Sequence, residues 1–209
     1  MTFITFEGPE GCGKTTQSRL FAEFLEQSGL NVLYTREPGG TTIGEQIRKV
    51  LMALDNTAMD PRAEALLFSA ARAQLVHQII KPHLDKGGVV VSDRYYDSTL
   101  AYQGYGLQQD LEALRQVTRF ATSDLTPDLT MLVDVPVEVG LERKQQGKEW
   151  NRLDAYALEI HKRVRQGYLE LAKAEPDRWV VIDGSDSPEE VEKAVQEVGD
   201  ERLADLLSH

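Results

Sequence analysis

The stretch Gly8-Pro9-Glu10-Gly11-Cys12-Gly13-Lys14-Thr15 constrains this chain more than any other. It fits the pattern Gly-x4-Gly-Lys-Ser/Thr, with the apolar run 3–6 before it and helical spacing after it. Strand, glycine-rich turn and helix in that order make a phosphate-binding loop. Glycines let the backbone curl until successive N–H groups point inward and form an anion-binding concavity. The helix behind adds its positive end. Lys14 can then reach terminal phosphates, and the Thr15 hydroxyl can ligate Mg²⁺.

The rest of the chain repeats the strand–helix alternation. Apolar runs at 2–7, 31–35, 89–92, 129–133 and 179–182 read as strands. Helical spacing covers 15–27, 44–54, 60 to about 85 with Pro82 marking a kink or restart, 111–121, 137–145, 156–175 and the stretch from Pro188. The expected fold is a three-layer α/β/α arrangement around a mostly parallel sheet of about five strands, doubly wound. Neither a repeat nor a linker divides it, so one domain spanning 1–209 is expected. In the long helix Ala63, Leu66, Leu67 and Ala70 are spaced to face the core, while Phe68 and Arg72, four apart, project together from another face.

In open parallel sheets ligands bind beyond the carboxyl ends of the strands. Arg36 ends the second apolar run, Asp93-Arg94-Tyr95 the third and Asp183 the fifth. An acidic residue there, in a chain with a phosphate loop, is the expected partner of a Mg²⁺ shell, which points to Asp93. Residues 98–106 are polar, aromatic and glycine-punctuated, and read as a short helix entering a loop, a candidate base-reading surface. Residues 143–154 are polar and locally basic, and read as a flap over an anionic site.

A net charge of −11 argues against a broad footprint for DNA or RNA. Positive potential must therefore be gathered locally, at the strand ends and in the flap. No apolar run approaches the roughly 18–20 residues of a membrane span. The start enters a strand at once rather than a signal peptide, and a single cysteine excludes an internal disulfide framework or zinc cluster. A cytoplasmic protein is expected.

The segments 6–16, 35–41 (Thr-Arg-Glu-Pro-Gly-Gly-Thr), 66–72 (Leu-Leu-Phe-Ser-Ala-Ala-Arg), 93–95 (Asp-Arg-Tyr), 101–104 (Ala-Tyr-Gln-Gly) and 151–154 (Asn-Arg-Leu-Asp) together resemble the thymidylate kinase family. These are P-loop kinases that make dTDP from dTMP and ATP. The resemblance spans nearly the whole chain and implies roles for particular residues. ATP would lie on Gly8, Pro9, Glu10, Gly11, Cys12, Gly13, Lys14, Thr15 and Thr16, with Arg143 and Asp183 on the adenine side. Thr15 and Asp93 would hold Mg²⁺. Arg36 and Arg94 would hold phosphates, and Glu10 would sit near the sugar 3′-hydroxyl. Phe68 would stack on thymine, Arg72 would reach a base carbonyl and Gln103 would pair with the base edge. Tyr102 would pack where a ribose 2′-hydroxyl falls. Glu37, Pro38 and Ser98 would complete the dTMP site, with the Glu37–Pro38 bond cis. The family is homodimeric; the Ala/Leu face of the long helix can serve either an interface or the core. In the branch without an arginine in the loop, as here with Gly11, the flap supplies the catalytic cation: Arg152 is the expected one, with Arg143 and Lys148 as alternatives. Cys12, set in the loop, is expected to make the enzyme sensitive to thiol alkylation, with ATP protecting.

The chemistry agrees on separate grounds. A phosphate monoester dianion needs no strong base to attack, so the work is to hold two polyanions in line and neutralise the transferring group. Two other functions would leave different marks. A GTP-driven switch needs Asn-Lys-x-Asp, and none of Asn31, Asn56 and Asn151 is followed by lysine. A deoxynucleoside kinase would face Arg36 and Arg94 with a neutral acceptor; turnover of dTMP but not thymidine separates the two.

Overall fold

The computed structural model describes residues 2–147 and 150–207. Its strands are β1 (Thr2–Glu7), β2 (Val32–Arg36), β3 (Val89–Asp93), β4 (Leu129–Asp134) and β5 (Trp179–Asp183). They form one parallel sheet in the order β2-β3-β1-β4-β5. β1 and β3 are buried along their whole length, as β-branched and aromatic runs covered on both faces should be.

The helices are α1 (Lys14–Gln27), α2 (Thr42–Met52), α3 (Pro61–Leu75), α4 (Lys81–Leu84), α5 (Tyr96–Thr99), α6 (Leu111–Thr122), α7 (Val137–Gln146), α8 (Leu158–Ala174) and α9 (Pro188–Leu207). Phe21 and Leu25 of α1 and Val191 and Val195 of α9 pack with Phe6, Met131 and Ile182 into one core. Leu100, Tyr168, Leu171 and Trp179 pack around Leu132 in a second. Phe3, Leu75, Ile80, Val90 and Tyr95 form a third. Helix starts follow sequence chemistry: Asp60 caps α3 through Arg62 N with Pro61 behind it, and Asp110 caps α6 through Glu112 N and Ala113 N.

The restart expected at Pro82 is present: the long helix ends at Leu75, widens into a π turn over Val76–Ile80 and restarts as α4, with Pro82 in its first turn. Two local readings change. The inward face of α3 is not the alanine–leucine stripe. Ala63 and Ala70 are exposed, Leu66 is 57 % exposed and Leu67 is half-buried, while Glu64, Ala65, Phe68, Ser69, Ala71, Arg72 and Leu75 point inward. Glu64 and Arg72 are tolerated there because both are paired. Residues 100–106 are a buried π turn packed on α8 rather than a loop.

Candidate active site

The parallel register sets the site. Asp93 aligns with Phe6 on one side and Arg36 on the other, so the loop 8–14, Arg36 and Asp93–Arg94 emerge together at one edge of the sheet. The loop curls as its glycines allow: Gly11 has φ 68° and Gly13 φ 93°. Gly11 is also closed to any side chain, since a Cβ there would lie 1.9 Å from the Gly140 carbonyl oxygen. A Cβ at Gly140, in α7, would lie 2.2 Å from the Glu10 carbonyl oxygen, so this glycine too leaves no room for a side chain. The absence of an arginine at 11 is thus a packing requirement of α7.

Two cavities meet at the loop. The larger, about 460 Å³, is lined among others by Arg36, Glu37, Pro38, Phe68, Asp93, Arg94, Ser98, Tyr102 and Gln103. The smaller, about 320 Å³, is lined by Gly11, Gly13, Arg143 and Gly147. Glu10, Lys14, Thr15 and Lys144 line both. The larger cavity's lining carries six cations, Lys14, Arg19, Arg36, Arg48, Arg94 and Lys144, against three carboxylates, Glu10, Glu37 and Asp93; Glu45 and Asp154, outside the lining, pair with Arg36 and Lys144. This is the local positive field that the acidic chain needs to hold an anion. Phe68, Met52 and Leu153 make its other end apolar.

Lys14 Nζ donates to Pro9 O at 3.1 Å, across the loop it serves. Thr15 Oγ1 donates to Asp93 Oδ2 at 2.5 Å, and Asp93 Oδ1 is buried without a hydrogen-bond partner. A hydroxyl and an oxygen with spare lone pairs, side by side beneath a phosphate loop, fit a Mg²⁺ ion that takes its other ligands from phosphates and water.

Arg94 is the hub. It sits at φ 73°, a conformation costly for a side chain with a Cβ, and is held there by many contacts. Its Nη1 donates to Gly8 O, Ser98 Oγ and Tyr168 OH, and its Nη2 to Glu10 Oε1 at 2.8 Å and Tyr102 OH at 3.3 Å. The Tyr102 hydroxyl also donates to Glu10 Oε1. Burial alone would raise the Glu10 pKa, but Arg94 first, then Lys14 and the Tyr102 hydroxyl, carry it down to about 2. Behind Arg94, Glu7 accepts from Tyr95 N, Ser98 Oγ and Tyr168 OH. Burial, with the Asp97 charge adding to it, pushes Glu7 up to about 7.

Arg36 donates to Glu45 Oε1 and Pro38 O, and the Glu37–Pro38 bond is cis. Gln103 donates to Glu64. Arg143 reaches the turn after β5, donating to Gly184 O at 2.8 Å and Ser185 O at 3.4 Å, while Asp183 is exposed and accepts from Ser185 N.

Other expected residues lie elsewhere. Arg152 does not face the cavities. Its guanidinium is buried against Glu64 Oε2, with Nε on Leu51 O at 2.9 Å and Nη1 on Tyr156 OH at 3.2 Å. In this arrangement the expected flap cation is a structural tie, because a buried carboxylate holds it more tightly than an open cavity does. Arg72 is 1 % exposed beneath the cavity wall, bound to Glu37 Oε2, Thr99 Oγ1 and Tyr95 O. Thr16 points outward from α1. Lys148 lies outside the described residues. Cys12 is 3 % exposed among core residues, and burial pushes its thiol pKa up, which disfavours the thiolate an alkylating agent needs. Of the residues not singled out from sequence, Lys144 had a signal beside Arg143, and Glu7 had one as an acid closing a buried strand. Tyr168, from a helix 161 positions away, had none.

Comparison with known proteins identifies the family. A family model described as thymidylate kinase matches residues 6–195. The chain is 50 % identical to a thymidylate kinase of Roseiflexus sp. (strain RS-1), over 98 % of this chain and 96 % of that one. It is 53 % identical to one of Thermomicrobium roseum, over 92 % and 91 %. The crystal structure of thymidylate kinase from Ehrlichia chaffeensis superposes with a TM-score of 0.77 at 37 % identity, covering 94 % of this chain and 97 % of that one.

Proposed function

Because the chain belongs to the thymidylate kinase family and phosphorylates dTMP with ATP as donor, we propose that its larger cavity holds dTMP and its smaller one the phosphates of ATP. The observation that carries this is the shared wall: Glu10, Lys14, Thr15 and Lys144 line both cavities, so a phosphoryl group crossing between them meets cations throughout. The base stacks on Phe68 in the apolar end, with Gln103 at its edge. Arg36 and Arg94 aim the acceptor phosphate, and Glu10, held ionised by Arg94, takes the sugar 3′-hydroxyl. Tyr102, tied to Glu10 and Arg94, closes the space beside the sugar. Thr15 and Asp93 would hold Mg²⁺, which neutralises and orients the donor phosphates. The acceptor dianion attacks without a base, and Lys14 with the cations around it takes up the charge that develops. ADP release should follow dTMP addition, fail with thymidine and stop when Mg²⁺ is chelated. Release with thymidine but not dTMP would overturn the assignment.

Lys144 is the flap-side cation of choice, since it alone of the described 143–154 cations borders both cavities; its Nζ lies 3.6 Å from Asp154. Lys144→Ala should lower kcat by about 10²-fold while KM for dTMP moves little, as expected for a contact made in the transition state. Arg152→Ala should instead lower stability. Equal kcat for Lys144→Ala and wild type in steady-state assays would move the role elsewhere.

We also propose one kinase domain with a flap at 143–154, acting in the cytoplasm as a homodimer. No described helix is long and apolar enough to cross a membrane. Support for the dimer is the apolar surface left on three helices that pack side by side: Ile43 and Val50 on α2, Leu66 on α3 and Phe120, 92 % exposed, on α6. Phe120→Glu should convert a dimer to monomer in sedimentation equilibrium; a monomeric wild-type chain would refute this.

A further inference from the structure

Glu64 lies in α3 and is 1 % exposed. Both its oxygens are taken. Oε1 accepts from Gln103 Nε2 at 2.7 Å, and Oε2 accepts from Arg152 Nη2 and from Tyr156 OH at 2.7 Å. An ionised carboxylate only accepts hydrogen bonds, so the side of the Gln103 carboxamide that meets it must be the NH₂. That fixes the other side. Gln103 borders the larger cavity, and no donor among the described residues reaches its Oε1.

We propose that Glu64 is a positioning residue for base selection. It locks the Gln103 amide so that its oxygen, a hydrogen-bond acceptor, faces the base. An acceptor there pairs with the ring N–H of thymine or uracil and is left against a lone pair by cytosine, whose N3 carries no hydrogen. Arg152 and Tyr156, both donating to Oε2, stop the carboxylate rotating and leave Oε1 to Gln103. The root of the flap and the base reader therefore share one anchor: Arg152 also donates to Leu51 O, beside the cluster of Leu51, Phe68 and Leu153 at the base-binding end. This inference rests on the larger cavity being the dTMP site.

Glu64→Gln tests it, because a neutral amide can offer either group to Gln103 and release the lock. The ratio of kcat/KM for dTMP over dCMP should fall about tenfold or more. In a Gln103→Ala background the same substitution should leave the ratio where Gln103→Ala put it. An unchanged ratio in an active Glu64→Gln enzyme overturns the proposal, as does an equal loss on both substrates or a further fall in the double variant. Should Glu64→Gln not fold, NMR of the wild-type chain decides. The Gln103 side-chain amide protons should be protected from exchange, and rapid exchange overturns the proposal. Refusal of dTMP by the wild type would instead sink the cavity assignment. The NMR signal, which needs no substrate, tells the two failures apart.

Discussion

Lys14→Ala is expected to lower kcat/KM for dTMP phosphorylation by about 10³-fold, roughly 4 kcal/mol of lost transition-state stabilisation. Lys14 lines both cavities, and its ammonium spans the loop to Pro9 O rather than pairing with a carboxylate. Its charge is thus directed at the ligand. For the same reason the fold should survive its removal, with a change in unfolding free energy within about 1 kcal/mol. ADP release at saturating Mg²⁺, with thermal melts in parallel, separates the two readouts. Turnover within tenfold of wild type would take the loop lysine out of the chemistry.

Arg94→Ala should fail in both respects. If Arg94 holds the acceptor phosphate as proposed, activity should drop about 10²- to 10³-fold. Stability should fall by about 3–5 kcal/mol, because the enclosed Glu10 carboxylate loses its principal partner. Alanine brings no relief at φ 73°, since it has the same Cβ. Urea unfolding reports the second loss independently of substrate. Arg94→Lys should recover part of the activity but little of the stability, because one ammonium cannot meet acceptors spread over Gly8, Glu10, Ser98, Tyr102 and Tyr168. Wild-type stability in Arg94→Ala would contradict the hub.

What was legible in the sequence was local. The phosphate loop, the caps at Asp60 and Asp110, and the charged residues closing β2 and β3 are set by neighbours along the chain and by the rule that parallel strands end at one edge. What was not legible depended on partners far away. Arg152 reads as a flap cation until Glu64, 88 positions earlier, is found beside it. Leu66 has the spacing of a core residue, but the stripe that turns inward carries Glu64 and Arg72, which spacing treats as polar and the fold neutralises by pairing. Residues 98–106 read as a short helix entering a loop because their glycines and polar side chains favour one. Tertiary packing on α8 overrode that preference.

The close approach of Gly11 and Gly140 seats α7 directly on the phosphate loop. Arg143 and Lys144 follow three and four residues later on the same helix, so their placement at the smaller cavity depends on that seat. A methyl group at either glycine would collide with backbone and force the helix and the loop apart. A chain with a bulky residue at position 11 would therefore have to deliver its neutralising charge from somewhere other than this helix.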